Sequence, residues 1–277
     1  MPAKAFSPGN ITLFFMISPN RDPRRMGSLG LSFATSKGAW AAAERSRAPS
    51  VYLNGKKESF PTLTDGIAML ANRPVMIKVT TELPLGCGFG MSGACTLAAL
   101  LAINKELRLG KSSKEIALLA HQSEVMHRTG LGSVTAEYLG GVLLRNKPGK
   151  PLTAMSLPLP PGTLFFRSFG KLKTSSILDK RGLASQLKPG CSAAFRKIAL
   201  LRANKKLRWE SIIPLGKEFS LGSGLLRDKK LIRCINQIEG RGGFATMALL
   251  GKTIISTKPF PGSKPISVSL QGARVIS

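Results

Sequence analysis

A glycine-rich segment, residues 84–94, has the residue types and spacing of a loop that binds phosphate. Gly86, Gly88 and Gly90 alternate along it, so the backbone can adopt positive φ and bring N–H groups close to an anion. A helix that begins near Ser92 would add unpaired N–H groups and the positive end of its dipole. We therefore predict that this segment, the phosphate loop, cradles phosphate groups, with the Ser92 hydroxyl on a phosphate oxygen or on Mg²⁺.

Two common nucleotide motifs fit the phosphate loop poorly. The spacing Gly88-x-Gly90-x-x-Gly93 matches the dinucleotide fingerprint, but that fingerprint needs a strand leading directly into its first glycine and an acidic residue about 20 positions later. Here the preceding strand-like run ends near Thr81, and Pro84 intervenes. The Walker A motif closes with Lys followed by Ser or Thr, and this segment does not. A purely structural glycine turn is a further alternative.

The composition indicates a globular chain with an unusually positive charge. Hydrophobic residues make up 43% of the 277 residues, and 41 Lys and Arg against 14 Asp and Glu give a formal net charge of +27. Such a charge attracts polyanions, of which nucleic acid is the obvious class. The basic residues are scattered, however, and only two Trp and two Tyr are available for stacking on bases. Nucleic-acid binding is therefore a minor alternative.

The N-terminal sequence and the hydropathy pattern bear on where in the cell the protein is expected. Pro8 and Gly9 interrupt the N-terminus before a short apolar run, which is not the pattern of a secretory signal. No apolar stretch approaches the roughly 20 residues that span a bilayer. We therefore expect a cytoplasmic protein that does not enter a membrane.

Hydrophobic periodicity predicts alternating strands and helices. Strands are expected over 6–17, broken at Pro8-Gly9, over 75–81, after Gly140-Gly141, and over 164–168, 253–257 and 266–270. Helices are expected over 92–104 and 113–127, the second with Ser112 or Ser113 as N-cap, followed later by two or three basic helical segments. Segments 21–30 and 129–133 are expected to be loops. Proline-rich 146–161 is the expected boundary between two α+β domains, residues 1–155 and 156–277.

The motifs, taken in order, resemble one family of kinases. The segment Pro-Leu-Gly-Cys-Gly-Phe-Gly-Met-Ser-Gly-Ala at 84–94, followed by a helix of small residues, is similar to the phosphate motif of the GHMP kinases. Segments 5–15, 22–30, 120–124, 129–132, 140–141 and 244–253 look like further motifs of the archaeal pantoate kinases, a group within that family. They occur in the order of that group and span nearly the whole chain.

The resemblance implies a two-lobed GHMP-kinase fold of the α+β class, with ATP and the substrate in the cleft between the lobes. Residues 1–155 would form the ATP-binding domain and 156–277 the C-terminal domain. The implied reaction moves the γ-phosphoryl group of ATP to the 4-hydroxyl of (R)-pantoate, with Mg²⁺, in archaeal coenzyme A biosynthesis, and the family suggests a homodimer. The alternatives are a GHMP kinase for homoserine or mevalonate, and a degenerate, cationic nucleic-acid-binding protein.

The resemblance also implies roles for single residues. The ATP phosphates would be held by Pro84, Gly86, Gly88, Phe89, Gly90, Met91, Ser92, Gly93 and Ala94. The substrate would meet Asn10, Thr12, Arg21, Ser28, Thr129 and Gly130. Either Arg21 or Arg24 could pair with its carboxylate. Mg²⁺ would be bound by Ser92 and Glu124, because a hard cation prefers oxygen ligands.

Two positions depart from the family pattern. The loop expected to read Gly-Leu-Gly-Asp has Ser133 in place of the acid, and the histidine expected after Pro8-Gly9 is Asn10. A neutral serine cannot replace a carboxylate as proton acceptor. The acids expected near the cleft are Asp22 and Glu124, with Glu137 a weaker candidate. The catalytic residues are therefore expected to be Ser133 and Asp22. Three alternatives stay open: the reaction needs no essential base, Asp22 acts as the base, or the enzyme is degenerate, slow or shifted to another substrate.

Overall fold

The computed structural model describes residues 2–276, and the described chain forms two β-sheets with helices packed against them. The strands are β1 Ala3–Ser18, β2 Gly27–Arg45, β3 Ser50–Leu53, β4 Lys56–Lys57, β5 Val75–Thr81, β6 Val142–Arg145, β7 Met155–Ser156, β8 Thr163–Ser168, β9 Ala245–Ala248, β10 Thr253–Ser256, β11 Lys264–Ser267 and β12 Arg274–Ile276. The helices are α1 Pro61–Leu70, α2 Met91–Leu107, α3 Ser113–Met126, α4 Ser133–Leu139, α5 Thr174–Leu178, α6 Leu183–Ala203, α7 Trp209–Gly222 and α8 Lys229–Glu239.

The first sheet has the strand order β12-β1-β2-β5-β3-β4, and β6 also pairs with β2. The expected break at Pro8-Gly9 is wrong, because β1 continues through it. The register with β2 shifts between Pro8 and Asn10, and a bulge of this kind accommodates a proline within a strand.

Strand β2 begins at Gly27, inside the segment 21–30 that was expected to be a loop. Its composition hid it, because alanine, glycine and serine have little intrinsic preference for strands. Pairing with β1 on one side and with β5 and β6 on the other stabilises it instead.

Helix α2 follows the phosphate loop and lies against β1 and β2. Every residue from Ala94 to Ile103 is buried, and α2 confirms the helix expected over 92–104. Helix α3 begins after Ser112, whose hydroxyl accepts from the N–H of Glu115 while the Glu115 carboxylate accepts from the N–H of Ser112. This capping box confirms one of the two expected N-caps and fixes the start of the helix that carries Glu124.

The second sheet has the order β11-β8-β10-β9. Strand β11 ends at Ser267, so the strand expected over 266–270 begins and ends earlier. Helices α6 and α7 pack back onto β1, where Phe14 contacts Phe195 and Phe219. Strand β12 returns to pair with β1, so the chain after 156 contributes to both sheets. The domain bounds 1–155 and 156–277 stay a prediction.

The sequence predicted a chain that does not enter a membrane, and the helices bear on this prediction. Among residues 2–276, none of the helices combines the length and apolar character needed to cross a bilayer.

Candidate active site

A cavity of about 650 Å³ lies where the two sheets meet, and we call it the central cavity. Strand β1, the phosphate loop, the start of α2, the segment 129–133 and Arg145 line it from the first sheet. Leu172 to Ser175, Leu178 and the turn at Leu249 and Leu250 line it from the side of the second sheet. Its volume is within the range of small-ligand sites.

The phosphate loop has the backbone that its glycines were expected to provide. The φ angles of Gly86, Gly88 and Gly90 are 72°, 91° and 63°, a region that favours glycine. Gly90 is also the N-cap of α2, and it has no side chain to cap the first N–H groups of the helix. Apart from the N–H of Gly93, which donates to the Glu124 carboxylate, those groups at the positive end of the helix dipole are left for other acceptors beside the central cavity.

The second sheet holds the phosphate loop from behind. The Thr253 hydroxyl donates to the carbonyl oxygen of Cys87 over 2.7 Å. The backbone N–H of Leu172 donates to the carbonyl oxygen of Gly86, also over 2.7 Å. Gly251 lies so close that a Cβ on it would be 2.0 Å from the carbonyl carbon of Cys87. The loop is therefore fixed between both sheets, and only glycine fits at 251.

Most of the site residues expected from the sequence lie on the central cavity. Its lining includes Asn10, Thr12, Ser28, Gly86, Gly88, Phe89, Gly90, Met91, Ser92, Thr129, Gly130 and Ser133. Three residues of the phosphate motif stand apart from that lining. Pro84 is exposed, whereas Gly93 and Ala94 are buried behind the loop.

Arg21 and Asp22 are not brought to the central cavity. Both belong to the turn before β2, where Arg21 is exposed and the Asp22 carboxylate accepts from the N–H and the Nε of Arg24. The hydrogen bonds from Arg24 lower the pKa of Asp22. An ionised aspartate paired with its neighbour in an exposed turn is an Asx-type turn residue, so the expected placement of Asp22 and Arg21 in the cleft is corrected.

Glu124 is fully buried behind the segment 129–133. The Ser133 hydroxyl, on the cavity surface, donates to Glu124 Oε2 over 2.7 Å. Burial raises the pKa of the Glu124 carboxyl to about 7, although hydrogen bonds from Ser133, Thr129 and the N–H of Gly93 act in the opposite direction. A nearby cation would therefore stabilise the charged form in this position.

The oxygen atoms around this carboxylate fit a divalent cation. Ser92 Oγ is buried and accepts no hydrogen bond from the described residues, and it belongs to the first turn of α2, beside Gly93. Hydroxyl and carboxylate oxygens are the ligands that Mg²⁺ takes together with phosphate oxygens. Ser92 and Glu124 could thus hold Mg²⁺, and a cation bound there would neutralise charge on the phosphates of a nucleotide.

Arg145 was missed by sequence reasoning. It ends β6, is 3% exposed, and its Nε donates to the carbonyl oxygen of Ser28 over 3.1 Å. Its other donors reach the hydroxyls of Ser28 and Ser32, and its guanidinium packs against Gly132. Burial lowers its pKa to about 10, so it is a cation at neutral pH. No carboxylate of residues 2–276 pairs with it, which leaves an uncompensated positive charge on the cavity wall.

His121 lies outside the cavity lining and holds the turn before β2. It is fully buried, and its Nε2 lies 2.8 Å from the carbonyl oxygen of Met26. A neutral ring with its proton on Nε2 can donate a hydrogen bond to that oxygen. Burial lowers its pKa to about 4, the Met26 carbonyl acts in the opposite direction, and the charge of Arg145 lowers it further. The folded protein therefore keeps this ring neutral.

His121 makes the stability of the protein depend on pH. Between pH 6.5 and about 4 the unfolded chain binds a proton at this ring and the folded chain does not, so acid favours unfolding. The total effect is on the order of 3 kcal/mol. On going from about pH 7.5 to about pH 4, we expect the wild type to lose more unfolding free energy than His121→Gln, by about that amount. Urea denaturation across this range measures it, and a difference that stays constant contradicts the assignment.

Comparisons with known proteins identify the family. The family profile described as "GHMP kinases N terminal domain" matches residues 60–141. A pantoate kinase of Methanospirillum hungatei is 28% identical over 256 residues, covering 89% of this chain and 84% of that protein. A pantoate kinase of Thermococcus kodakarensis is 30% identical over 245 residues, covering 82% of this chain and 77% of that protein. The chain belongs to the pantoate kinase family.

Solved structures agree with this membership at the level of the fold. A structure described as "Phosphotransferase related to CoA biosynthesis pathway" superposes with a TM-score of 0.85 at 23% identity, covering 99% of this chain and 98% of that one. The α+β, GHMP-kinase fold expected from the sequence is thus confirmed. In this member of the pantoate kinase family, the matched N-terminal region contains the phosphate loop, Glu124 and Ser133. Arg145 lies just beyond it.

Proposed function

We propose that this protein transfers the γ-phosphoryl group of ATP to the 4-hydroxyl group of (R)-pantoate, forming (R)-4-phosphopantoate on the archaeal route to coenzyme A. The curated relatives that match most of the chain are named pantoate kinases, which supports this choice of substrate. The observation that carries the proposal is a buried, uncompensated guanidinium, that of Arg145, on the same cavity as a glycine-rich phosphate loop.

The ATP side of the proposal rests on the phosphate loop and its surroundings. The N–H groups of the loop and of the first turn of α2 would hold the phosphates, and Ser92 with Glu124 would hold Mg²⁺. Lys173 also lines the cavity, next to the segment that is bonded to Gly86. Its ammonium group would add a positive charge near the phosphates.

The pantoate side rests on Arg145, Ser28 and Thr12, which line the cavity together with Asn10. Pantoate is a carboxylate with two hydroxyl groups, so it needs a cation for one end and hydrogen-bond partners for the rest. Arg145 would pair with the carboxylate, because a planar guanidinium matches the two oxygens of a carboxylate. Its bonds to Ser28 and Ser32 hold the guanidinium in place before substrate binds.

The transfer itself would depend mainly on position. The 4-hydroxyl oxygen forms a bond to the γ-phosphorus, the bond to the oxygen shared with ADP breaks, and the hydroxyl proton is released to water. Ser133 can accept a hydrogen bond from the reacting hydroxyl while donating its own proton to Glu124. Such a reaction needs no strong base, because the transition state is loose. Neither the absence of an acid at position 133 nor the position of Asp22 outside the cavity lining is an obstacle to it.

The proposal is tested by ADP release from ATP and Mg²⁺ with a panel of acceptors. We expect stimulation by (R)-pantoate and little by homoserine, mevalonate or water, because the relatives that match most of the chain are pantoate kinases. Glu124→Gln, assayed in parallel, shows whether any signal comes from a contaminating ATPase. ADP release that is unaffected by pantoate, or stronger with homoserine or mevalonate, would contradict the proposed substrate.

Three further expectations belong to this proposal. A kinase of coenzyme A synthesis works on metabolites of the cytoplasm, and a homodimer is suggested by the family. Nucleic acid has no part in the reaction. All three stay predictions.

A further inference from the structure

Glu137 is a buried acid without a partner. It lies on α4, one turn after Ser133, and is completely inaccessible to solvent. Neither of its carboxyl oxygens has a hydrogen-bond partner among the described residues. An unpaired carboxyl in a protein interior is costly, and a bound ion is one of the explanations for such a group.

The position of this carboxyl is at the back of the phosphate loop. A Cβ on Gly90 would lie 2.6 Å from Glu137 Oε1, and a Cβ on Gly93 would lie 2.6 Å from Glu137 Oε2. The same point on Gly93 is 2.9 Å from Glu124 Oε2. Carboxylates from two helices, α3 and α4, therefore converge on the first turn of a third, α2.

Two more oxygens without partners surround this point. Ser92 Oγ and Asn10 Oδ1 are both buried and unpaired within residues 2–276, and the Asn10 side chain is 3% exposed. The Asn10 Cβ lies 3.2 Å from the position of a Cβ on Gly90, beside Glu137. All of these atoms are hard oxygen ligands, and no lysine or arginine pairs with either glutamate in the described chain.

Charge balance favours a divalent cation over other occupants. Two buried carboxylates this close repel each other, and both need an opposite charge to be stable in their ionised form. A single divalent cation supplies two positive charges and accepts several oxygen ligands at once. A core carboxyl that merely stays protonated would explain the burial, but not the convergence of four side chains with unpaired or acidic oxygens.

We propose that Glu137 is a second acidic residue of the divalent cation site, acting beside Glu124 and Ser92. The inference rests on the proposed function for the place of this cation next to ATP. The metal site of this chain would then contain two carboxylates. Glu137 would supply negative charge on the same face of α4 as Ser133, which is neutral.

The test measures cation binding without nucleotide or pantoate, so that it is independent of turnover. Free Mn²⁺ is titrated into the full chain and followed by electron paramagnetic resonance. We expect Glu137→Gln, which keeps the shape of the side chain and removes its charge, to raise the Kd for Mn²⁺ about tenfold or more. Glu44→Gln, which removes an exposed carboxylate paired with Lys78, should leave that Kd unchanged.

Thermal unfolding separates a lost ligand from a lost fold. Without metal, Glu137→Gln should be as stable as the wild type or more so, because it removes an unpaired buried acid, and Mn²⁺ should raise its Tm less. Should the glutamine variant not fold, Glu137→Met, which suits an apolar interior, carries the same expectations. A Kd for Mn²⁺ equal to that of the wild type in a folded variant overturns the proposal. A wild type that binds no Mn²⁺ overturns it as well. Pantoate-dependent ADP release could still be normal in that case, so a failure of this proposal is distinguishable from a failure of the proposed function.

Discussion

Replacing Glu124 by glutamine is expected to lower kcat/KM for Mg²⁺-ATP by about 100-fold or more, which is roughly 2.7 kcal/mol of transition-state stabilisation. Glutamine keeps the volume of the buried side chain but removes the charge that we propose holds the cation against the phosphates. The hydroxyl of Ser133 also loses its anionic acceptor. The measurement is steady-state ADP release at several Mg²⁺ concentrations.

The control for Glu124→Gln is Glu218→Gln, which removes an exposed carboxylate paired with Lys197. Its kinetics should match those of the wild type. Unchanged activity in Glu124→Gln would refute the assignment of Glu124 as a metal ligand. A loss that excess Mg²⁺ partly restores would support it, because a weakened site fills again at higher cation concentration.

Replacing Arg145 by methionine is expected to lower kcat/KM for pantoate by about 100-fold or more while the KM for ATP changes little. Truncating one partner of a buried charge pair costs roughly 2–5 kcal/mol. The loss falls on the acid substrate because Arg145 lies on β6, whereas the phosphates are assigned to the phosphate loop. Steady-state kinetics with each substrate varied in turn measures the two effects separately.

Arg21→Met and Arg24→Met are the matched comparisons for Arg145→Met. Both guanidinium groups are exposed in the turn before β2, so we expect little change in either variant. A larger loss there than at Arg145 would mean that the carboxylate binds at that turn, as the sequence alone suggested. Arg145→Lys should recover only part of the activity, because an ammonium cannot make the two parallel bonds of a guanidinium.

The phosphate loop could be predicted from sequence because its causes are local. Alternate glycines permit the positive φ that such a loop needs, and the helix after them follows from its small apolar residues. The strand β2 could not be predicted, since its alanines and glycines carry no strand signal and its pairing partners are distant in sequence.

The candidate site divides in the same way. Arg145 is the last residue of an apolar strand, where the sequence alone suggests a solvent-exposed arginine. Only its contact with Ser28, 117 residues earlier, makes it part of the cavity wall. Asp22 was misplaced for the converse reason, because a strongly local interaction with Arg24 decides its position. That pairing, two residues apart, is a signal that the sequence did contain. Glu137 was expected near the cleft only as a weaker candidate, although its spacing of one helical turn from Ser133 places both residues on one face of α4.

The contact of Gly251 and Thr253 with the phosphate loop has a mechanical consequence. The loop is bonded to β1 through Asn10 and to the second sheet through Cys87, so it cannot keep its shape if one sheet rotates against the other. Nucleotide affinity and the relative orientation of the sheets are therefore linked quantities. Whichever orientation ATP favours, that same orientation must bind ATP more tightly, by the same factor. The loop therefore joins the two sheets mechanically as well as being the proposed phosphate-binding site.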